Sequence, residues 1–348
     1  MNSKKVVAAL SGGLDSSMAA YLLHRQGYEV LGVFLRMGLD KDVDEDHARR
    51  VCEFLGIKFY PVDISRQFQQ EVVDYFVDSY ARGFTPNPCI KCNQTIKFAE
   101  LIKLADGLGY DRVATGHYVR LKKEKGVYQL YKGKDPAKDQ SYFLYRLTQS
   151  QLNRIIFPLG RYHKEEIRKK AEKIELPFYD SESQDICFIT GDHNEFLKQK
   201  LDLQTGPIKT RDGRVVGEHQ GLPLYTLGQR RGVNVGGIGP LYVVQCDYKN
   251  NILYVTDDSE DPALYSRRVQ ARECNWIAGT PPETPLSCQA MVRYGQKPHS
   301  CRIQKKEEGG KCEAEFDSPQ RAVTPGQSIV FYDGDKVLGG GVITEKSS

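Results

Sequence analysis

Two sets of residues in this 348-residue chain are of types and spacing that could do chemistry. The first is Ser11-Gly12-Gly13-Leu14-Asp15-Ser16-Ser17, directly after the apolar run Val6-Val7-Ala8-Ala9-Leu10. An apolar strand that breaks into a Gly-rich turn and then opens a helix is a phosphate cradle. Glycines let the backbone approach an anion and turn N–H groups toward it, and the helix N-terminus adds the positive end of its dipole. No Lys follows, so this is not the G-x-x-x-x-G-K-[ST] loop that grips a transferable γ-phosphate. The second set is thiols. Pro86-Asn87-Pro88-Cys89-Ile90-Lys91-Cys92-Asn93 holds two of the nine cysteines in a proline-stiffened segment, and Cys92 falls near the start of a helix expected to open around Thr95. A helix N-terminus lowers a thiol pKa, and a shift from ~8.5 to ~7 raises the thiolate fraction at pH 7 from a few per cent to about half. Cys187 is the third thiol, expected on an apolar, strand-like segment behind the polar Ser183-Gln184-Asp185. Three readings stand side by side: a redox pair with a carrier thiol, ligands of a metal or an iron–sulfur cluster, or inert thiols. A closed zinc site takes four ligands, and no second C-x-x-C exists here. The inert reading suits Cys246, Cys274, Cys288, Cys301 and Cys312, spread through β-patterned segments. It suits Cys89 and Cys92 less, because a Pro-rich loop has no need of buried thiols.

The elements that must position these groups begin with an alternating pattern. Residues 4–10, 29–37, 58–64 and 112–116 read as strands, and 16–25, 44–55, 68–81 and 96–108 as helices, the first stopped by Gly27. This βαβα order predicts an α/β fold: a parallel sheet with helices on both faces and the Gly-rich turn at its active edge. Residues 119–123 and 127–131 flank Glu124-Lys125-Gly126 as a hairpin. Residues 164–175 form a charged helix whose Glu165/Lys169 and Glu166/Lys170 pairs suit a solvated face. The character changes after about residue 203. Residues 207–216, 242–246 and 252–256 read as short strands, with Asn250-Asn251 a turn between the last two, and 257–262 as an acidic boundary loop. From 267 on, strands at 267–275, 287–294, 299–304, 311–316, 328–332 and 336–344 suggest a small closed barrel or sandwich.

Composition sets the class. With 40% hydrophobic and 27% charged residues the chain reads as globular, and no apolar stretch approaches the ~20 residues of a membrane span. Met1-Asn2-Ser3-Lys4-Lys5 runs straight into the first strand, so no targeting segment, no membrane partner and a cytoplasmic location are expected. A net charge of +4 is compatible with nucleic acid without singling it out. An odd count of nine cysteines disfavours a disulfide framework.

The string S-G-G-x-D-S resembles the signature of ATP pyrophosphatases, which split ATP between the α and β phosphates and pass AMP to a substrate oxygen. A longer series resembles the tRNA-specific 2-thiouridylase family. It runs from Ser11–Ser17 through Asn87–Asn93 with Ile96-Lys97-Phe98, then Ala114-Thr115-Gly116-His117-Tyr118 and Lys138-Asp139-Gln140-Ser141-Tyr142. It continues through Ser183–Phe188, Tyr225-Thr226-Leu227-Gly228-Gln229-Arg230-Arg231-Gly232, Thr324-Pro325-Gly326-Gln327 and Gly339-Gly340-Gly341. The resemblance implies a Rossmann-like ATP pyrophosphatase domain over 1–200, a small central domain over 201–265 and a C-terminal β-barrel over 266–348.

It also implies a reaction: ATP, with Mg2+, adenylates the C2 oxygen of the tRNA wobble uridine, and sulfur replaces that oxygen. A C2 oxygen is a poor leaving group; AMP is a good one. Ala9, Leu10, Ser11, Gly12, Gly13, Leu14, Asp15, Ser16, Leu35 and Gly116 would then bind ATP, Cys187 would carry a persulfide and Cys92 would be the nucleophile. In one scheme the terminal sulfur attacks C2 and Cys92 releases it by forming a disulfide with Cys187; in another, Cys92 frees hydrogen sulfide first. One departure stands out. A familiar form of the family has an acid/base Asp where this chain has Cys89, so the general-base assignment is open. A third thiol there supports a second reading, a [4Fe-4S] cluster on Cys89, Cys92 and Cys187. For tRNA, the resemblance implicates Asn87, Pro88 and Cys89 at the target base, with His117, Lys138, Asp139, Gln140, Arg293, Tyr294 and Gln327 elsewhere. The expected partners are a tRNA anticodon loop and a sulfur-donor protein, either a cysteine desulfurase or a persulfide relay protein, and the chain is expected to act as a monomer. Two rivals are a nitrogen-transferring pyrophosphatase such as GMP synthetase or argininosuccinate synthase, which needs no such thiols, and an RNA-binding module without catalysis.

Overall fold

A computed structural model describes residues 4–39, 42–179, 186–233, 235, 239–306 and 309–346. The first sheet holds strands β1 (Lys5–Ala9), β2 (Glu29–Arg36), β3 (Lys58–Asp63), β4 (Arg112–Ala114) and, at its far edge, the short Ile155–Ile156 strand. Their order is β3-β2-β1-β4 followed by that edge strand, and every pairing is parallel. Strand β1 sits where the order reverses, with β2 on one side and β4 on the other. In an open parallel sheet ligands bind beyond the C-terminal ends of the strands at that point, and the Ser11–Ser17 loop leaves β1 there.

The hairpin β5 (Val119–Glu124) and β6 (Val127–Lys132) forms as expected but belongs to another sheet. Its strand β6 pairs with β17 (Lys336–Lys346), through Lys336 opposite Tyr131. With the Ile155–Ile156 strand as β7, the next four strands are β8 (Gly206–Thr210), β9 (Val215–His219), β10 (Tyr242–Asp247) and β11 (Ile252–Thr256), in sheet order β10-β11-β8-β9. The single strand expected over 207–216 is thus two. Asp212-Gly213 breaks it: the Thr210 hydroxyl bonds to Asp212, and Gly213 has φ of +90°, so the chain turns back on itself.

Strands β12 (Tyr265–Trp276), β13 (Leu286–Met291), β14 (His299–Lys305), β15 (Cys312–Arg321), β16 (Ser328–Asp333) and β17 follow the order β12-β15-β14-β13-β16-β17. Strand β12 pairs again with β17, so this is a closed six-stranded barrel rather than a sandwich. Gly339, Gly340 and Gly341 make that closure possible. A Cβ on Gly339 would lie 2.2 Å from the Asn275 carbonyl oxygen, and one on Gly340 would lie 2.5 Å from that of Ile329.

The barrel is not a loose appendage. One apolar core runs from Val7, Val33 and Val113 of the parallel sheet, through Tyr142, Leu144 and Tyr145, to Ile277, Val330, Tyr332 and Val337 of the barrel. The Tyr142 hydroxyl donates to the Ser328 carbonyl (2.8 Å), and the Asn275 amide donates to the Tyr145 carbonyl (2.6 Å). Among the described residues no helix is long and apolar enough to cross a membrane.

Candidate active site

The loop after β1 is built by its own side chains. Ser16 Oγ donates to the Gly13 carbonyl (3.1 Å) and accepts from the Ser11 N–H (3.1 Å); Ser17 Oγ also donates to the Gly13 carbonyl (2.8 Å). Gly12 has φ of +77°, and a Cβ there would lie 2.7 Å from the Asp44 carbonyl oxygen. Helix Leu14–Arg25 starts immediately, with Gly13 as its N-cap and no side chain capping it. Behind the loop, Leu10 is buried and donates from its N–H to the Val33 carbonyl (2.8 Å), and Ala9 ends β1.

The segment after β4 closes on this loop from the other side. A Cβ on Gly116 would fall 2.7 Å from the Asp15 carbonyl carbon and 2.8 Å from the Ser16 nitrogen. Two residues on, the Tyr118 hydroxyl donates to Asp15 Oδ1 (2.8 Å), while Lys164 Nζ donates to Asp15 Oδ2 (2.6 Å). Lys164 opens a helix, Lys164–Lys173, whose charges read in sequence as a solvated face. Its first residue reaches instead to Asp15 in the loop after β1. Glu166, expected to pair with Lys170, accepts from the His163 N–H (3.0 Å) and reaches Lys134 Nζ (3.5 Å). No local signal marks Lys164, because its partner lies 149 residues away.

The cysteine segment corrects two expectations. The helix opens at Pro88, not near Thr95, with Asn87 as its N-cap accepting from the Ile90 N–H (3.3 Å). Pro in the first turn loses nothing, since its missing N–H would be unpaired there anyway. The helix runs on through a π turn, Asn93–Lys97, into Phe98–Leu108. Cys92 therefore lies in the second turn, inside, and Cys89 takes the N-terminal place. Burial pushes the Cys92 thiol up to about 11; Lys97 pulls the other way, and Cys187 adds to the rise. The expected activation by a helix N-terminus does not act on Cys92. Cys187 sits in a turn rather than a strand, and Ser183-Gln184-Asp185 lie outside the described residues.

Cys92 and Cys187 nevertheless meet in one apolar cluster with Ile64, Phe68, Val72 and Ile96, which Leu35 at the end of β2 also joins. None of the nine cysteines is in a disulfide. Among the described residues no three His, Cys, Asp or Glu side chains gather to hold a metal ion, so Cys89, Cys92 and Cys187 do not form an assembled cluster site. In the barrel, Cys274 and Cys312 lie 3.1 Å apart, and Cys288 and Cys301 3.6 Å apart, sulfur to sulfur.

Around the cysteine segment several residues implicated at tRNA hold backbone. Asp139 accepts from the N–H groups of Gly133 (2.9 Å) and Ser141 (3.1 Å), and Gln140 Oε1 from that of Tyr118 (2.9 Å). Gln327 Nε2 donates to the Thr85 carbonyl (2.8 Å), and the Thr85 N–H to the Pro325 carbonyl (2.9 Å), so the barrel fixes the approach to Asn87-Pro88-Cys89. The Tyr294 hydroxyl donates to the Asp139 carbonyl (3.4 Å), and its ring leans on Phe143 at 4.3 Å. Arg293 and Lys138 are exposed. His117 bonds Thr115 Oγ1 (2.7 Å) between the Phe98 and Phe157 rings, and burial, with Lys97 nearby, holds its pKa well below the usual range, so the ring is neutral.

Three family models match consecutive segments: a tRNA methyl transferase HUP domain over residues 4–191, a tRNA methyl transferase PRC-barrel domain over 194–257 and an aminomethyltransferase beta-barrel domain over 266–343. The tRNA-specific 2-thiouridylase MnmA of Geobacillus thermodenitrificans is 43% identical, covering 98% of this chain and 95% of that protein. That of Halalkalibacterium halodurans is 44% identical, covering 97% and 94%. The chain belongs to the tRNA-specific 2-thiouridylase family. A solved 4-thiouridine synthetase–RNA complex with bound ATP is also similar, at 21% identity and a TM-score of 0.37, over 49% of this chain and 40% of that one, too slight a likeness to weigh. As a 2-thiouridylase the protein is a tRNA-uridine 2-sulfurtransferase, and neither nitrogen transfer nor RNA binding without catalysis describes it.

Proposed function

We propose that this 2-thiouridylase binds ATP in the Ser11–Ser17 cradle and uses it to adenylate the C2 oxygen of a wobble uridine. The backbone N–H groups at the start of helix Leu14–Arg25 would hold the departing pyrophosphate. Asp15, held by Tyr118 and Lys164, would turn its remaining lone pairs to Mg2+, which would screen the phosphates. The uridine oxygen takes AMP and the Pα–O–Pβ bond breaks. A persulfide on Cys187 then attacks C2 with its terminal sulfur, and AMP leaves with the old oxygen. Cys92, deprotonated, attacks Cys187 Sγ, which frees the sulfur on C2 and leaves a Cys92–Cys187 disulfide. Two cysteine thiols supply the two electrons that reduce the sulfane sulfur, so an external dithiol must reset the pair and a persulfide-bearing donor protein must reload it.

The observation that carries this reading is the shared apolar cluster of Leu35, Cys92 and Cys187, because it joins the nucleotide edge of the sheet to both thiols. Asn87 and the first turn of the helix at Pro88 would meet the target base, which an anticodon loop can offer unstacked. A neutral His117 suits a base edge or hydroxyl rather than a phosphate charge. Cys89 brings no carboxylate, so proton transfer at the base falls to other groups.

The test supplies purified protein with tRNA, ATP, Mg2+ and a persulfide donor, reading AMP by chromatography and 2-thiouridine by mass spectrometry. Both products are expected, with 2-thiouridine lost in Cys92→Ala and in Cys187→Ala. Thiolation that survives in either variant overturns the two-cysteine route. Iron and acid-labile sulfide in anaerobically purified protein, lost together with activity, would replace it with the cluster.

A further inference from the structure

The barrel cysteines take no part in the route above, yet they stand as two sulfur pairs. Cys274 and Cys312 make the closer one, 3.1 Å apart across 38 residues of chain. A regular ladder would not bring them together, because the pairing of β12 with β15 sets Ala271, not Cys274, opposite Cys312. A break in register after Arg272 does so. Glu273 takes φ of +51°, where side chains are rarely found, and the Cys274 N–H then donates to the Gly310 carbonyl (2.9 Å). This irregular step aims the Cys274 sulfur at Cys312. Backbone confines it on another side: a Cβ on Gly341 would lie 2.8 Å from Cys274 Sγ.

The two thiols are unlike. Cys274 is half-buried, within reach of a small solute, whereas Cys312 is 2% exposed. The hydrogen bond with Cys312 draws the Cys274 pKa below its ordinary value, with Arg146 helping and burial opposing. The same bond, together with burial, pushes the Cys312 thiol up. A reachable thiol that ionises readily, beside a sheltered one that keeps its proton, suits oxidation in two steps. A disulfide holds its sulfurs about 2.05 Å apart, so closure from 3.1 Å asks for about 1 Å of movement. The end of β12 is also the joint between the barrel and the rest of the chain. Glu273 accepts from Arg146 Nη2 (2.8 Å), Asn275 donates to the Tyr145 carbonyl, and the Arg272 guanidinium lies 5.4 Å from the Phe84 ring centroid.

We propose that Cys274 and Cys312 are a peroxide-sensitive pair, oxidised to a disulfide that staples the end of β12 to β15 at this joint. The Cys274 thiolate attacks one oxygen of hydrogen peroxide, the O–O bond breaks, and the other oxygen takes up a proton and leaves as water. Cys312 sulfur then displaces hydroxide from the Cys274 sulfenic acid, and its proton completes a second water. Two thiols and one hydrogen peroxide thus give one disulfide and two waters, the sulfurs losing the two electrons that the peroxide gains. The full chain, reduced with dithiothreitol and desalted, is treated with equimolar hydrogen peroxide, alkylated and mapped without reduction by peptide mass spectrometry. A Cys274–Cys312 crosslink, lighter by two hydrogens and reversed by dithiothreitol, is expected. In Cys312→Ser, dimedone should trap Cys274 as its sulfenic acid; in Cys274→Ser, Cys312 should stay reduced. Oxidation should raise the Tm by about 3–6 °C in the wild-type chain and not in Cys312→Ser, because the bond closes a long loop. Both thiols found alkylated, or a crosslink between Cys288 and Cys301 with Cys274 left free, overturns the pair. A Cys274–Cys312 crosslink without a rise in Tm overturns the staple.

Discussion

Replacing Gly116 by Ala puts one methyl group against the backbone of the Ser11–Ser17 loop. That methyl would sit 2.7 Å from the Asp15 carbonyl carbon, 2.8 Å from the Ser16 nitrogen and 2.9 Å from the Asp15 oxygen. All three are backbone atoms, so no side-chain rotation relieves the overlap. Ordinary contact begins near 3.4 Å, and the loop must retreat by about 0.7 Å to reach it. Overpacking of this kind costs about 1–3 kcal/mol of stability. The catalytic cost is larger in proportion, because a displacement near 1 Å in a positioning group costs about 100-fold in rate. We therefore expect AMP formation to fall about 10–100-fold in Gly116→Ala, with tRNA affinity kept. Gly107→Ala supplies the opposite sign from the same added methyl. It lies in helix Phe98–Leu108, where a Cβ meets nothing within 4 Å, so the variant should gain about 0.5–1 kcal/mol with AMP formation unchanged. The assays are AMP release with tRNA present and thermal unfolding. A Gly116→Ala protein with wild-type AMP release would refute the claim that this close approach sets the loop.

Three further outcomes follow from the same geometry. Lys164→Gln removes the ammonium 2.6 Å from Asp15 and should slow AMP formation about 100-fold while leaving tRNA binding alone; unaltered AMP formation would return Lys164 to an ordinary surface charge. Burial raises the Cys92 pKa to about 11, so its thiolate is about one part in ten thousand at pH 7, and its alkylation rate, followed by peptide mass spectrometry, should climb about tenfold per pH unit from 7 to 10. A rate that levels off below pH 8 would refute the buried thiol. Gln327→Ala leaves the Thr85 carbonyl without its donor and should cost about 1 kcal/mol in urea unfolding; a raised KM for tRNA with no loss of stability would make Gln327 a direct RNA contact instead.

The strand, Gly-rich turn and helix of the first β–α unit were legible because their signal is local: strand, glycines and helix start lie within a dozen residues, and the βαβα period places them in a parallel sheet. The barrel strands were legible for a similar reason, since alternation and turn residues mark each one. What could not be read was who meets whom. Tyr118 and Lys164 reach Asp15 across 103 and 149 residues, and the hairpin at 119–132 joins the barrel through β17, pairings that no local pattern encodes. The helix start was misjudged for a physical reason. Pro86 and Pro88 read as stiff extended chain, yet Pro is at home in a helix's first turn, and Asn87 caps it.

That one shift of the helix start changes the chemistry of the site. It moves Cys92 from an activating helix end into an apolar cluster beside the half-buried Cys187, where burial raises the Cys92 pKa and keeps the thiol protonated at pH 7. On the proposed route, Cys187 is exposed enough to be loaded by a donor protein, while the buried Cys92 would be a reluctant nucleophile. Cys92 would then lose its proton only in the loaded complex. The approaching substrate would have to supply the base or the charge that lowers its pKa, and Lys97, which already pulls that pKa down, is the cation on hand. Lys97→Met should therefore raise the Cys92 pKa further and move the alkylation profile to higher pH. An unmoved profile would mean that Lys97 does not reach the thiol's field.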